Sequence, residues 1–351
     1  MTSFGGAERV LQQLHALYPA APIFTSVFDP AAVPEALRSW DVRPSFLQRL
    51  PFITRYSRAM LPLMPLAFDR VDSASYDAVI SVSGAFAKNV RRPTSGRTIC
   101  YCLTPPRYIW DMQADYVRGR IDRPLLDAAT GWLRQVDLAA AARVDQFIAI
   151  SETVAERVRR TYARPAPAIY PPVECDWVRP SGEPPGDYYL VVSRLVRYKR
   201  IDLAIEACNR LKRRLLVVGC GPEAARLRAK AGPTIEFLGR RDDGDVAALY
   251  ARCKAFIFPG LEDFGITPVE AQAAGRPVVG FGRGGAAETV MDQTTGVLFP
   301  EQSADALVDA IDRLDRLSIA PAACRENAMR FDASVFRRRM SAAVEAAVAA
   351  E

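Results

Sequence analysis

One histidine, His15, stands in a chain of 351 residues. A metal site built from several histidines is excluded, and a histidine-dependent triad has a single residue to draw on. The seven cysteines are odd in number and scattered. The nearest pair, Cys100 and Cys102, forms C-x-C in an apolar stretch and lacks zinc spacing. No disulfide framework follows, and a reducing cytoplasm is the compartment this usage fits. No apolar run approaches the roughly 18 residues that a membrane-spanning helix needs. The opening MTSFGGAERV lacks the basic-then-apolar pattern of a secretory signal. What is present is 50% apolar and 25% charged residues, the balance of a globular protein with sizeable cores. The length suffices for two domains of ordinary size, or one large one.

The formal charge of +6 is unevenly placed. Residues 1–175 hold 21 basic against 16 acidic side chains, and the remainder 25 against 24. The excess centres on residues 38–70, where Arg38, Arg43, Arg49, Arg55, Arg58 and Arg70 outnumber Asp41 and Asp69. Apolar residues lie between them, among them Phe46, Leu50, Phe52, Tyr56, Met60, Leu63, Met64 and Leu66. Such a segment suits an anionic membrane interface, with arginine stems along apolar surface and heads on phosphates. The plainer reading is core helices with solvated outer faces. Pro51, Pro62 and Pro65 exclude one long amphipathic helix in either case. No aromatic–basic motif for nucleic acid is present.

Short apolar runs at 77–83, 97–103 and 145–151 alternate with helical stretches such as 132–143 and 152–162. That is the signature of a parallel sheet covered by helices, an α/β fold. Residues 164–187 are rich in proline and glycine and read as a linker around a short strand, Ala168–Tyr170. The alternation then restarts with better definition. Strands at 188–193, 214–218, 234–238, 254–258, 277–281 and 296–299 alternate with helices at 201–211, 222–230, 243–252, 268–274, 286–291 and 303–316. Six such units make a doubly wound domain, whose right-handed crossovers bring all the strand-end loops to one edge. A last helix covers 334–349.

The loops on that edge carry the chemistry. Arg194 and Lys199 follow the strand at 188–193, where two cations can clamp a diphosphate; solvated loop cations are the plain alternative. Thr267-Pro268-Val269-Glu270 reads as a capping box with proline at the first helical position, and Gly275 as the helix stop. The amides of Phe264, Gly265 and Ile266 then form an anion site at a positive helix end. Glu262 stands eight residues before Glu270, where no cap explains it, and its carboxylate suits vicinal sugar hydroxyls. Gly282-Arg283-Gly284-Gly285 is a second glycine-rich approach to the same edge. Gly219-Cys220-Gly221 opens a nominal dinucleotide fingerprint, but another β/α unit precedes it, Pro222 interrupts it and Glu236 falls within a strand. It reads as a tight turn with Pro222 near the first position of a helix. Together these loops point to a nucleotide-sugar diphosphate.

The runs SRLVRYKRIDLAIEAC, VVGCGPEAARLR, FLGR and LEDFGITPVEAQAAGRPVVGFGRGGAAETV resemble the donor domain of retaining glycosyltransferases of family 4, which have the GT-B fold. Glu262 to Glu270 matches their E-x7-E signature. Upstream, FGGAERV, SFLQRLP, LPLMPLAFD, YDAVISVSGAFAK and ICYCLTPPRYIWD are similar to mannosyltransferases that build O-antigen and exopolysaccharide units on a lipid carrier. The resemblance implies two Rossmann-like domains facing a cleft: an acceptor-side domain at 1–170, a donor domain at 171–333, and a helix at 334–351 packing back toward the first.

It implies that Arg194 and Lys199 neutralise the donor diphosphate while Glu262 holds the transferred sugar, near the amides of Phe264 and Gly265. Glu270 would hold the ribose, Gly239 and Arg240 the base, and Gly5 and Gly6 would approach the phosphates. Arg107 and Tyr108 fall on the acceptor side. The donor implied is GDP-mannose and the acceptor a lipid-linked glycan at the inner membrane face, with no metal and no cofactor. Two departures stand out. Leu103 replaces the family's histidine ahead of Thr104-Pro105-Pro106-Arg107-Tyr108, and Met1 lies four residues before Gly5, where relatives have a first strand. The expectation is that the true start lies upstream. A catalytically weakened relative that binds sugar nucleotide or a partner is the second reading, and a hydrolytic or epimerising GT-B enzyme the third.

Overall fold

The computed structural model describes residues 1–2, 4–51, 53–110 and 123–350, without the side chains of 55–59 and 123–128. Phe52 and the side chains of Arg55, Tyr56 and Arg58 thus lie outside the described residues. The chain divides into two compact units, one of Met1–Tyr170 with Phe336–Glu351 and one of Pro171–Val335. The first carries 24 basic and 17 acidic side chains, the second 22 and 23, so the positive excess belongs to the first unit alone.

In the first unit, a helix at Gly6–Leu17 leads to β1 (Ile23–Thr25), which pairs in parallel with β2 (Val42–Pro44). The alternation does not reveal these elements, because three-residue strands leave no period to read. β3 (Ala78–Ser83), β4 (Arg97–Cys102) and β5 (Gln146–Ala149) form a second parallel sheet in that order, covered by helices at Arg123–Ala142 and Glu152–Tyr162. The strand expected at Ala168–Tyr170 is a single bridge from Ala168 to Ala149, because proline at 165, 167, 171 and 172 removes the donors a ladder needs. The C-terminal helix, Ala333–Ala349, sets Phe336 edge-on to Tyr101 at 5.6 Å, and Arg337 bonds Gln13.

The basic segment 38–70 is not built of long helices. Short turns at Phe46–Arg49, Ile53–Tyr56, Ser57–Leu63 and Met64–Asp69 follow one another, broken by the prolines. Leu47 and Ile53 enter a small core with Val27 and Ala67. Leu50, Leu63 and Leu66 stay exposed, as do Arg38 and Arg49. Arg70 lies over the Phe46 ring at 5.1 Å.

The second unit holds one parallel sheet of six strands: β6 (Tyr188–Val192), β7 (Arg214–Val218), β8 (Ile235–Gly239), β9 (Ala255–Phe258), β10 (Val278–Phe281) and β11 (Gly296–Phe299). Their runs are apolar on both faces because helices cover both faces. Tyr189, Val191, Leu215, Val217 and Ile257 face the helices Ile201–Leu211 and Ala304–Asp315. Leu190, Leu216, Phe256 and Phe258 point the other way, toward Tyr250, Ala271 and Ala274. A helix at Pro321–Met329 was not legible, since its buried residues Cys324, Asn327 and Ala328 include a polar one. The strand order is β11-β10-β9-β6-β7-β8. From β6 the chain runs outward through β7 to β8, then returns to β6's other side and runs outward through β10 to β11. The winding reverses between β6 and β9, where open α/β sheets bind ligands beyond the strands' carboxyl ends.

The first unit contains a buried ion pair. Lys88 and Asp137, 2% and 0% exposed, meet at 2.5 Å. Asp137 also accepts from Trp110 Nε1 at 2.9 Å and from the Tyr162 hydroxyl at 2.7 Å. Burial, reinforced by the Asp137 charge, pushes the Tyr162 phenol far up, so it remains a donor. Asp137→Ala strands the Lys88 cation and is expected to destabilise the protein by about 3–5 kcal/mol. Urea denaturation followed by tryptophan fluorescence measures it; a loss below about 1 kcal/mol contradicts this account.

Candidate functional site

At the reversal, β6 and β9 share only two paired positions, Tyr189 with Ala255 and Leu190 with Phe256. β6 and β7 share five. The last residues of β6 and β9 therefore part without a ladder between them. Their loops fill the gap: Lys199, from the loop after β6, forms an ion pair with Glu262, from the loop after β9. Each side chain is 18% exposed, and a small cavity of about 10 Å3 lies beside them. Lys199 also lies 5.4 Å from the Tyr198 ring centre. Arg200 follows in the left-handed region at φ 52°, a conformation non-glycine residues seldom take. Arg194 is exposed on the same loop, with no ion-pair partner among the described residues.

Close backbone approaches hold the Glu262 loop. The Gly285 N–H donates to the Glu262 carbonyl at 2.8 Å. A Cβ on Gly285 would fall 1.7 Å from the Phe264 carbonyl oxygen, and one on Gly284 2.4 Å from that of Glu262. The glycine-rich loop after β10 thus braces the loop after β9. In the same way the Gly219-Cys220-Gly221 turn grips the loop after β6, with Leu195 N–H on the Cys220 carbonyl at 2.9 Å. Pro222 precedes the N-cap, Glu223, of a helix that starts at Ala224; it is not at the first helical position. Glu236 lies in β8, exposed, and faces Arg214 at 3.6 Å.

The capping box is a correction. The helix spans Ile266–Ala273 with Gly265, at φ 90°, as N-cap, so Thr267 is already inside it. Gly265 makes the sharp entry that Thr267 would have made two residues later, and Pro268, which has no N–H, is tolerated at the third helical residue because an N–H there would have no intrahelical partner. Ile266 is the first helical residue, and Phe264 is buried against Phe331. Glu270 sits in the second turn, 4% exposed, and accepts from the Tyr250 hydroxyl at 3.0 Å. Gly275, at φ 75°, follows the helix end as the sequence predicts.

The sheet therefore brings Lys199 and Glu262 into contact, with Arg194 on the Lys199 loop and Glu270 in the helix that follows the Glu262 loop. Gly239 ends the edge strand β8 and Arg240 follows it, two strands or about 10 Å from β6. Gly239 has φ 70° with open space where a Cβ would be. In the first unit, Gly5 caps the helix Gly6–Leu17 in extended backbone, its N–H on Glu8 at 3.0 Å. Leu103 follows β4, its N–H on the Ser83 carbonyl at 2.9 Å. Arg107 and Tyr108 open the short helix Arg107–Trp110, with Tyr108 edge-on to Phe86 at 6.2 Å. Sequence reasoning missed Tyr250, since a tyrosine in a helix of the covering layer gives no sign of which carboxylate it meets.

Residues 177–331 match the family described as Glycosyl transferases group 1. O-antigen chain mannosyltransferase C of Escherichia coli is 28% identical over 194 residues, 52% of this chain and 52% of that protein. A GDP-mannose-dependent alpha-(1-6)-phosphatidylinositol monomannoside mannosyltransferase of Mycobacterium tuberculosis is 33% identical over 157 residues, 38% of this chain and 41% of that protein. The matched stretch thus spans about half the length of these curated relatives, or less. The structure of Anabaena HepE in complex with UDP-glucose superposes with a TM-score of 0.70 at 18% identity, over 99% of this chain and 97% of that one. The fold is that of the GT-B glycosyltransferases.

Two outcomes follow from the packing. Gly285→Ala forces the Phe264 carbonyl aside and is expected to destabilise by about 1–3 kcal/mol, read as a lowered urea midpoint; an unchanged midpoint contradicts the bracing. Six cysteines are buried and Cys220 is exposed. Burial pushes the thiols of Cys175, Cys208, Cys253 and Cys324 up to about 12. A maleimide added to the native protein should label Cys220 alone by peptide mass spectrometry, and the rest only in denaturant.

Proposed function

From a glycosyl transferase group 1 domain at residues 177–331, we propose a retaining hexosyltransferase that takes a sugar, mannose from GDP-mannose, to a lipid-linked or growing polysaccharide acceptor. The observation that carries this reading is the Lys199–Glu262 pair at the reversal of the sheet. A cation and a carboxylate that satisfy each other are the two partners a sugar diphosphate needs. The diphosphate takes Lys199, with Arg194 beside it on the same loop, and sugar hydroxyls take Glu262. Glu270 receives the ribose, the amides of Phe264, Gly265 and Ile266 meet the donor, and Gly239 and Arg240 border the base.

In this reading the bond between the anomeric carbon and the diphosphate oxygen breaks as the acceptor hydroxyl attacks from the same face. The acceptor proton passes to the departing phosphate oxygen. The negative charge that develops there is met by Lys199 and Arg194, so positioning and electrostatics supply the acceleration, with no metal assigned. Gly5 and Gly6 approach the phosphates, and Arg107 and Tyr108 take the acceptor side, as the family resemblance implies. Among the described residues no helix is long and apolar enough to cross a membrane. Leu50, Leu63 and Leu66 with Arg38, Arg49 and Arg70 offer a surface for anionic lipid at the inner membrane face. A second reading, a sugar-nucleotide binder with weakened catalysis, is favoured by one observation: Leu103 has no proton to give where the family has histidine.

Calorimetric titration of GDP-mannose, GDP, UDP-glucose and UDP tests the donor site. One nucleotide family is expected to bind. Lys199→Met should weaken nucleotide and sugar nucleotide alike, by about tenfold or more. Glu262→Gln should weaken only the sugar nucleotide and tighten the bare diphosphate, because Lys199 no longer has a rival anion. A folded protein that binds none of the four ends this reading; binding without transfer to any lipid-linked acceptor selects the second.

A further inference from the structure

Glu270 is an unusual residue to find 4% exposed in the second turn of a helix. It lies past the positions from which a side chain caps a helix, and burying a carboxylate is unfavourable unless polar contacts replace water. Its Oε2 accepts from the hydroxyl of Tyr250, itself 0% exposed. Tyr250 comes from a different element, the helix Asp243–Arg252 that lies between β8 and β9 in sequence. Its ring stands edge-on to Trp177 at 6.3 Å and tilted against Phe256 at 5.6 Å. Phe256 is in β9, the strand whose loop carries Glu262. The ring is thus packed between Trp177 and a residue of the sheet, which fixes where its hydroxyl lies.

We propose that Tyr250 is a positioning residue of the donor site, its hydroxyl holding the Glu270 carboxylate in the plane that meets the vicinal ribose hydroxyls of a nucleoside diphosphate. The inference rests on the reading above, in which Glu270 receives the ribose. A carboxylate recognises a vicinal diol by presenting both oxygens to two hydroxyls at once, which demands an orientation fixed to roughly 10–20°. The side chain of Glu270 cannot set that angle alone, since the terminal torsion of a glutamate is broad. A rigid buried donor on one oxygen sets it before the ligand arrives.

The test pairs a variant with a change in the ligand. GDP and 2′,3′-dideoxy-GDP, and UDP with its dideoxy form, are titrated calorimetrically into the wild type, Tyr250→Phe and Glu270→Gln. Tyr250→Phe is expected to weaken the ribonucleotide about five- to tenfold and to leave the dideoxy nucleotide within about twofold, so the wild-type preference for ribose collapses in the variant as it does in Glu270→Gln. Equal losses on both nucleotides assign the hydroxyl to general packing and overturn the proposal, as does a variant that fails to fold or one that keeps the full ribose preference. If Glu270→Gln loses that preference while Tyr250→Phe keeps it, the positioning role falls and the donor site stands. If the wild type binds no nucleoside diphosphate, both fall together.

Discussion

The reversal of winding between β6 and β9 is the constraint on which the second unit depends. A parallel strand cannot follow its neighbour through a tight turn, so every step is a crossover with a helix, and all strand-end loops gather at one edge. Were the order monotonic, each loop would pack on the next and leave no opening. Because β6 sends the chain one way and β9 the other, their loops diverge, and the two-position ladder between them widens the gap. Lys199 and Glu262 bridge it. The ion pair is therefore placed by topology before any side-chain preference acts.

Diverging loops lack a ladder to define them, and the chain supplies that definition through backbone contact. The loop after β10 reaches the loop after β9 through Gly284 and Gly285, close enough that a methyl group would overlap a carbonyl. The turn after β7 holds the loop after β6 through the Cys220 carbonyl. Gly265 then turns the chain sharply into the helix bearing Glu270. A run that imitates a dinucleotide fingerprint is thus a structural clasp: its glycines are small for the sake of the neighbouring strand's loop.

The six β/α units of the second half were legible because strands buried on both faces read as continuous apolar runs with sharp ends, and the helices beside them keep their period. The first half was less so. β1 and β2 are too short for a period, and the segment 38–70 spends its apolar residues partly on a small core around Leu47 and Ile53 and partly on the surface. At the candidate site, the loops that carry Lys199 and Glu262 were readable from their position after strands, but their contact was not, since strand order is absent from the sequence. The capping box misled for a local reason. Thr267 and Glu270 have the right spacing, yet Gly265 two residues earlier can take a positive φ and start the helix first.

The two carboxylates of the site differ in what holds them, and the difference matches the two parts of the proposed donor. Glu262 is partnered by a lysine, a mobile point charge on a four-carbon stem, and each remains 18% exposed. Such a pair can separate and re-form. Glu270 is partnered by a phenol that the core clamps in one orientation, and it is nearly sealed from water. A sugar that arrives with the donor and leaves with the acceptor needs the exchangeable partner, because Glu262 must be satisfied both with and without it. A nucleoside that is the same before and after transfer needs the fixed one. On this reading the environment of each glutamate, more than its chemistry, divides the donor into the part that is transferred and the part that is not.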